Sequence, residues 1–155
     1  MEMIERASEE HAKKILYVIN ESNRKAYKDI IPEEHFREHV LSIEELLQDF
    51  NRMSFYVYRH EGEIVGVAAL HVLDKDTGRI RWVYVLPEFQ RKGIGTALVT
   101  YVEHEAERFG LKKLWLITAE KAYWAINFYR KLGYRQTGRI ERPWGNDLIM
   151  EKEIH

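Results

Sequence analysis

From Val83 to Leu98 the chain reads Val-Tyr-Val-Leu-Pro-Glu-Phe-Gln-Arg-Lys-Gly-Ile-Gly-Thr-Ala-Leu. An apolar β-type run stops at Pro87, a short polar loop follows, two glycines stand one residue apart, and an amphipathic helix begins. At Gly93 and Gly95 no Cβ holds the backbone away from a ligand, and the first amides of a helix have no intrahelical acceptor. A phosphate fits such a junction. Two familiar phosphate loops do not match it. The dinucleotide fingerprint needs a third glycine where Leu98 stands, and the Walker loop needs Gly-Lys-Ser/Thr, which is absent.

The segments on either side read as a mixed fold. Met3 to Arg6 has the length of a short edge strand. Ser8, followed by Glu9 and Glu10, reads as an N-cap, and Ala12, Ile15, Leu16 and Ile19 recur at helical spacing, which predicts a helix from about residue 9 to the low twenties. Residues 21–50 suggest two short helices, one starting at Pro32 after the break Ile30-Ile31 and one at the capping-box sequence Ser42-Ile43-Glu44-Glu45. Phe55 to Tyr58, the turn Glu61-Gly62 and Ile64 to Leu70 form a hairpin, and a second turn at Asp74 to Gly78 leads into the strand Ile80 to Leu86. The helix with Ile94, Leu98, Val99, Val102 and Ala106 on one face ends at Gly110. Leu114 to Ile117 is a short strand, parallel to its predecessor if the crossover is right-handed. A last helix over Lys121 to Leu132 closes at Gly133, and two strands near 134–140 and 148–152 finish the chain around Arg142-Pro143-Trp144-Gly145-Asn146.

The loop Gln90, Arg91, Lys92, Gly93, Ile94, Gly95 resembles the Gln/Arg-x-x-Gly-x-Gly/Ala motif of the Gcn5-related N-acetyltransferases, the GNAT family. Ala125-Ile126-Asn127-Phe128-Tyr129-Arg130-Lys131-Leu132-Gly133-Tyr134 is similar to the same family's helix Ala-x-x-Phe-Tyr-x-Lys-x-Gly-Phe/Tyr. The order of elements agrees from about residue 55 to 152, whereas residues 20–50 agree only in being helical. The resemblance implies an α/β (α+β) GNAT acyl-CoA N-acyltransferase fold. Its mixed, mostly antiparallel sheet has six to seven strands, a splayed parallel pair and about four flanking helices, in a single domain over residues 1–155.

The resemblance also implies chemistry. Acetyl-coenzyme A is the expected cofactor, its pyrophosphate cradled by Gln90, Arg91, Lys92, Gly93, Ile94, Gly95 and Thr96. Val83 and Val85 are the expected main-chain partners of pantetheine, with the Val85 amide as oxyanion donor. Tyr129 is the expected general acid toward the departing thiolate, beside the coenzyme sulfur, with a packing tyrosine whose hydroxyl bonds the cofactor as the alternative. A thiol near pKa 8.5 is a tolerable leaving group and a phenol near 10 donates only when aligned, so such an acid helps without being indispensable. An alkyl amine near 10.4 is mostly protonated at neutral pH, so a base is expected too. Glu120, His71 and Glu141 are candidates, with Glu120 next to the site in sequence, and none stands out. Tyr84, on the strand of the cofactor, is the expected acceptor contact, while Trp82, Trp124 and Trp144 are further aromatic candidates.

Two departures bear on the acceptor. Bacterial protein N-terminal acetyltransferases of the family carry a glutamate twelve residues before the tyrosine, where this chain has Ile117, and many members carry an asparagine where it has Ala122. The expected reaction is direct attack of a primary amine on the thioester, the amine belonging to a small molecule. A protein or peptide amine, or a non-catalytic acyl-CoA-binding sensor, is the alternative.

Charge and residue usage narrow the remaining classes. Lys and Arg number 24 against 25 Asp and Glu, a formal net charge of -1, so no basic field favours nucleic acid. Eight acids against four bases between Glu21 and Asp49 suit a solvated face, or else a cationic acceptor. There are no cysteines, and the one histidine pair at helical spacing, His35 and His39, lacks the glutamate of a zinc motif, so no metal is expected. The N-terminal residues lack the layout of a signal peptide and no apolar run is long enough to span a bilayer. A cytoplasmic protein without membrane contact is therefore expected, with homodimerisation open by resemblance.

Overall fold

The computed structural model describes residues 2–27 and 41–154. The expected break and helix start around Pro32, the His35/His39 pair, and Asp29, Glu33, Glu34 and Glu38 of the acidic stretch lie outside the described residues.

Seven strands form one sheet: β1 (Glu2–Arg6), β2 (Ser54–His60), β3 (Glu63–Val72), β4 (Thr77–Val85), β5 (Lys113–Ala119), β6 (Arg135–Arg142) and β7 (Gly145–Glu153), in the order β1-β2-β3-β4-β5-β7-β6. Every neighbouring pair is antiparallel except β4 with β5. Four helices flank it: α1 (Ala12–Tyr27), α2 (Ile43–Phe50), α3 (Ile94–Arg108) and α4 (Tyr123–Lys131). The first helix begins as a short turn over Glu9–His11, in which the Ser8 amide donates to Nδ1 of His11 at 3.1 Å, and it runs further than its apolar periodicity alone suggests. The capping box of α2 is formed as read, with Ser42 Oγ accepting from the Glu45 amide at 3.2 Å and a Glu45 carboxylate oxygen accepting from the Ser42 amide at 3.0 Å.

The core is built around β3, which is buried on both faces from Ile64 to Leu70. A strand buried on both sides needs cover on both, which explains its unbroken apolar sequence. The helix α1 brings Ile15, Val18 and Ile19 to one face, and α3 brings Leu98, Val99 and Val102 to the other. The last two strands reach closer together than the sequence indicates, with Arg142 opposite Gly145 and only Pro143 and Trp144 between them.

One irregularity of the sheet shapes the cavity. The strands β4 and β5 pair only at Thr77–Lys113, Gly78–Leu114 and Arg79–Trp115. Beyond Arg79 they separate, although β4 continues to Val85 and β5 to Ala119. In the same stretch β4 carries a bulge, because Ala69 lies opposite Arg81 and Val67 opposite Tyr84, leaving Trp82 and Val83 against Ala68 alone. Trp82 takes a left-handed φ of 56°, an expensive conformation for a bulky side chain. The bulge bends β4 where the sheet opens.

Candidate active site

The gap between β4 and β5 opens into a cavity of about 740 Å³. Its lining joins residues far apart in sequence: Ser22 of α1, β4 from Arg79 to Val85, the loop after it, Leu116 to Thr118 of β5, and Trp124, Phe128 and Tyr129 of α4. Two walls of different construction meet there.

The first wall is mostly backbone. The Leu86 amide donates to the Val65 carbonyl at 2.9 Å, so by strand alternation the amide and carbonyl of Val85, and of Val83 two residues earlier, point into the gap. The Val85 carbonyl accepts from Ser22 Oγ at 3.1 Å and from Gln90 Nε2 at 3.0 Å, so the loop side chain and α1 both grip the end of the strand. Arg91 has φ 63° and Gly93 φ 82°, two left-handed residues in the turn that leads into the first amides of α3. A Cβ at Gly93 would touch nothing within 4 Å, so glycine is required there by conformation and leaves open space above the start of α3. Gly95 is required for the opposite reason, since a Cβ there would come within 3.2 Å of Cζ of Phe128, where α3 meets α4. The arrangement offers the unfilled amides of a helix start to an anion.

Tyr129 is buried at 8% exposure and lines the cavity, edge-on to Phe128 at 4.9 Å and to Tyr134 at 5.7 Å between ring centroids. Behind it burial, reinforced by Glu103, pushes the Tyr134 phenol far up, and Tyr134 donates to Glu103 at 2.7 Å. The second tyrosine is thereby anchored as a neutral donor under the first.

The second wall is made of side chains. A Cβ at Gly78 would face Leu111 and Leu114, which puts Gly78 and Ile80 on the α3 side of the sheet, and Arg79 and Arg81 on the side of α1 and α2. The Arg79 guanidinium lies over the Trp115 ring at 4.8 Å and that of Arg81 over Trp82 at 5.0 Å. Trp82 is itself held by its Nε1, which donates to buried Asp49 of α2 at 3.1 Å, and Asp49 also pairs with Arg52. Tyr84 shares this face, its hydroxyl 3.5 Å from Oδ1 of Asn23. Burial, followed by the charges of Arg81 and Arg142, pushes Arg79 down to about 10.

The residues anticipated from sequence separate into three groups. Val83, Tyr84, Val85, Gln90, Arg91, Gly93, Gly95, Thr96 and Tyr129 all line the cavity. Ile94 is buried in the core, leaving only its backbone to serve a ligand, and the Lys92 ammonium lies 5.5 Å over the Phe89 ring. None of the three candidate bases lines the cavity. Glu120 pairs with Arg139 at 3.1 Å and accepts from Asn146 at 3.5 Å, Glu141 is an exposed residue within β6 rather than beyond it, and burial with Arg52, Arg81 and Arg79 pushes His71 down. No cluster of three metal-ligating side chains occurs among the described residues, and none of their helices is long and apolar enough to cross a membrane.

Ser22, Asn23 and Asp49 were missed from sequence. Each is a polar residue at a buried helical position, Ser22 and Asn23 continuing the stripe of Ile15 and Ile19, and Asp49 following Leu46 by three. That interruption of an apolar face was the available signal.

Known proteins agree with this geometry. Residues 16–134 match the family model described as the acetyltransferase (GNAT) family. A protein of Mycobacterium tuberculosis, named an uncharacterized N-acetyltransferase, is 31% identical over 107 residues, covering 66% of this chain and 69% of that one. The amino-acid acetyltransferase of Pseudomonas putida is 33% identical over 89 residues, which are 57% of this chain and 19% of that longer protein. Among solved structures, the PaiA N-acetyltransferase of Thermoplasma acidophilum in complex with coenzyme A superposes with a TM-score of 0.85 at 24% identity over 99% of both chains. The ribosomal-protein-alanine N-acetyltransferase of Brucella melitensis superposes with 0.78 at 20% identity, over 97% of this chain and 99% of that one.

Proposed function

This chain belongs to the acetyltransferase (GNAT) family and is an N-acetyltransferase, and we propose that it moves an acetyl group from acetyl-coenzyme A to the primary amine of a small molecule by direct attack. The observation that carries this reading is the convergence on one cavity of the left-handed loop at Gly93, the gap-facing backbone of Val83 and Val85, and Tyr129.

The residues present fit such a donor. The open space over Gly93 and the first amides of α3 suit a pyrophosphate, with Arg91 and Thr96 beside it, and the backbone of Val83 and Val85 suits the amides of a pantetheine arm. Acetyl-coenzyme A would supply a thioester whose C–S bond breaks as the amine nitrogen bonds the carbonyl carbon, releasing a thiolate and the amine's proton. The Val85 amide is directed to donate to the carbonyl oxygen as negative charge builds there, a contribution of about 2.7–4 kcal/mol in comparable sites. Tyr129 holds a proton within the cavity for the leaving sulfur. Tyr129 is packed edge-on against Phe128 and Tyr134, which fixes its ring beside the cavity.

A small acceptor is supported by the apolar Ile117, which lines the cavity where the peptide-acetylating members of the family carry a glutamate, and by the similarity to an amino-acid acetyltransferase. The test is calorimetric titration of acetyl-coenzyme A into the wild type and into Gly93→Glu, which sets bulk, backbone strain and negative charge against the proposed pyrophosphate. Micromolar binding by the wild type, weakened by at least about 100-fold in the variant, is expected, two kinds of penalty of a few kcal/mol acting together. Failure of the folded wild type to bind, or equal binding by both, removes this reading.

A further inference from the structure

The second wall of the cavity carries positive charge that no carboxylate among the described residues pairs with. Arg79 and Arg81 both line the cavity, and standing two residues apart on one strand they present their side chains to the same face about 7 Å from one another. Among the described residues neither has a carboxylate partner. Nε of Arg79 is buried without any hydrogen-bond partner, the one such side-chain atom among the described residues. The nearby acids are already engaged, Asp49 by Arg52 and Trp82, and Asp147 by Arg142 at 2.9 Å.

Leaving a buried guanidinium N–H unpaired is costly, and a ligand that accepts from it removes that cost. The means of holding the two arginines points the same way. Each lies against an indole face, and stacking fixes the plane of a guanidinium while leaving its in-plane N–H groups free. Two such forks held in place suit the bidentate geometry of a carboxylate. His71, on the same face, is held below its ordinary range by burial and by Arg52, Arg81 and Arg79, so the excess of positive charge is felt by a neighbour.

We propose that Arg79 and Arg81 bind a carboxylate carried by the acceptor, so that the substrate is an amine that is also an acid. The inference rests on the acetyltransferase reading and narrows its substrate class. It runs against a polyamine, the cationic acceptor that the acidic stretch from Glu21 to Asp49 would admit.

The experiment measures acetyl transfer to the twenty common amino acids, to their primary amides and to spermidine, with wild type, Arg79→Met and Arg81→Met. Methionine keeps an unbranched stem against the indole while removing the charge. Acetyl-coenzyme A titration is run on each protein as the control for folding and for the donor site. At least one amino acid should be acetylated with kcat/KM well above that of its amide, and either substitution should lower that value roughly 10- to 100-fold, the range for a lost charge-assisted hydrogen bond. Turnover of the amide should change by no more than about two-fold, and donor affinity should hold. Preference for spermidine or for the amides overturns the proposal while leaving the enzyme an acetyltransferase. So does donor binding without acetylation of any acid, or an equal loss on acid and amide in the variants. Absence of donor binding removes the acetyltransferase reading itself, and this inference with it.

Discussion

The two walls of the cavity are built from different materials. The wall proposed for the donor is made of backbone held by a local sequence: left-handed residues at Arg91 and Gly93, the first amides of α3, and the gap-facing edge of β4 at Val83 and Val85. The wall proposed for the acceptor is made of side chains brought together from α1, α2, β4 and β5, with Asp49 positioning Trp82, and Trp82 and Trp115 positioning two arginines. A wall of backbone recognises what every member of a family binds, because main-chain groups are the same whatever the sequence. A wall of side chains can be rewritten one residue at a time. The donor should therefore be shared across this family and the acceptor particular to this chain.

The sharpest test of that division is Tyr129→Phe. The ring contacts with Phe128 and Tyr134 are retained by phenylalanine, so folding should be preserved. If Tyr129 donates its proton to the leaving sulfur, kcat falls by about 10²–10⁴ with the affinities for donor and acceptor unchanged. Steady-state kinetics with the best acceptor, beside a donor titration, separates the terms. A variant that loses acceptor affinity and keeps kcat would move Tyr129 from the chemistry to the acceptor wall.

The same division explains what could be read before the fold was known. That Gly93, Gly95, Tyr129, Val83 and Val85 belong together was legible, and they line one cavity, because a glycine loop and the helix that packs on it are encoded by residues close in sequence. The hairpin at Glu61-Gly62, the capping box of α2 and the parallel crossover were legible for the same reason, each being a local pattern with a local cause. Arg79, Arg81, Ser22 and Asp49 were not. An arginine in a strand reads as a solvated face, and only the fold reveals that the strand's neighbour withdraws at Arg79 and that an indole lies under each guanidinium. Glu120, expected as a base from its proximity in sequence to Tyr129, forms an ion pair with Arg139 and is not among the residues that line the cavity, a placement that sequence distance does not reveal.

A smaller effect should follow from Asp49→Ala, which acts on the acceptor wall alone. Removing the carboxylate leaves the Trp82 N–H without its acceptor and Arg52 without its partner. The loss of buried hydrogen bonding should cost about 1–3 kcal/mol of stability, measured by urea unfolding. Trp82 carries Arg81, so the acceptor KM should rise, by about ten-fold, while acetyl-coenzyme A affinity stays within about two-fold of the wild type. A variant in which donor affinity falls as far as acceptor affinity would show that the two walls are mechanically one.

The smallest effect is electrostatic and needs no substrate. Burial and the arginines of the acceptor wall hold His71 below its ordinary value, so protonation is less favourable in the folded protein than in the unfolded chain. Between the unfolded value, about 6.5, and the lower folded one, the unfolded chain takes up a proton that the folded protein refuses. This residue's contribution to stability is thus intact above about pH 6.5 and is lost as the pH falls toward the folded value. Arg79→Met removes one of the charges responsible, so the His71 pKa should rise and part of that acid-side loss should disappear. Lys92→Met removes a charge of the same sign from the donor loop and should leave His71 where it is. Titration of the His71 ring by NMR in the three proteins compares the two walls directly. Equal shifts in both variants would mean that His71 senses the charge of the whole molecule, whereas a shift confined to Arg79→Met locates the unanswered charge on the wall where an acidic acceptor would meet it.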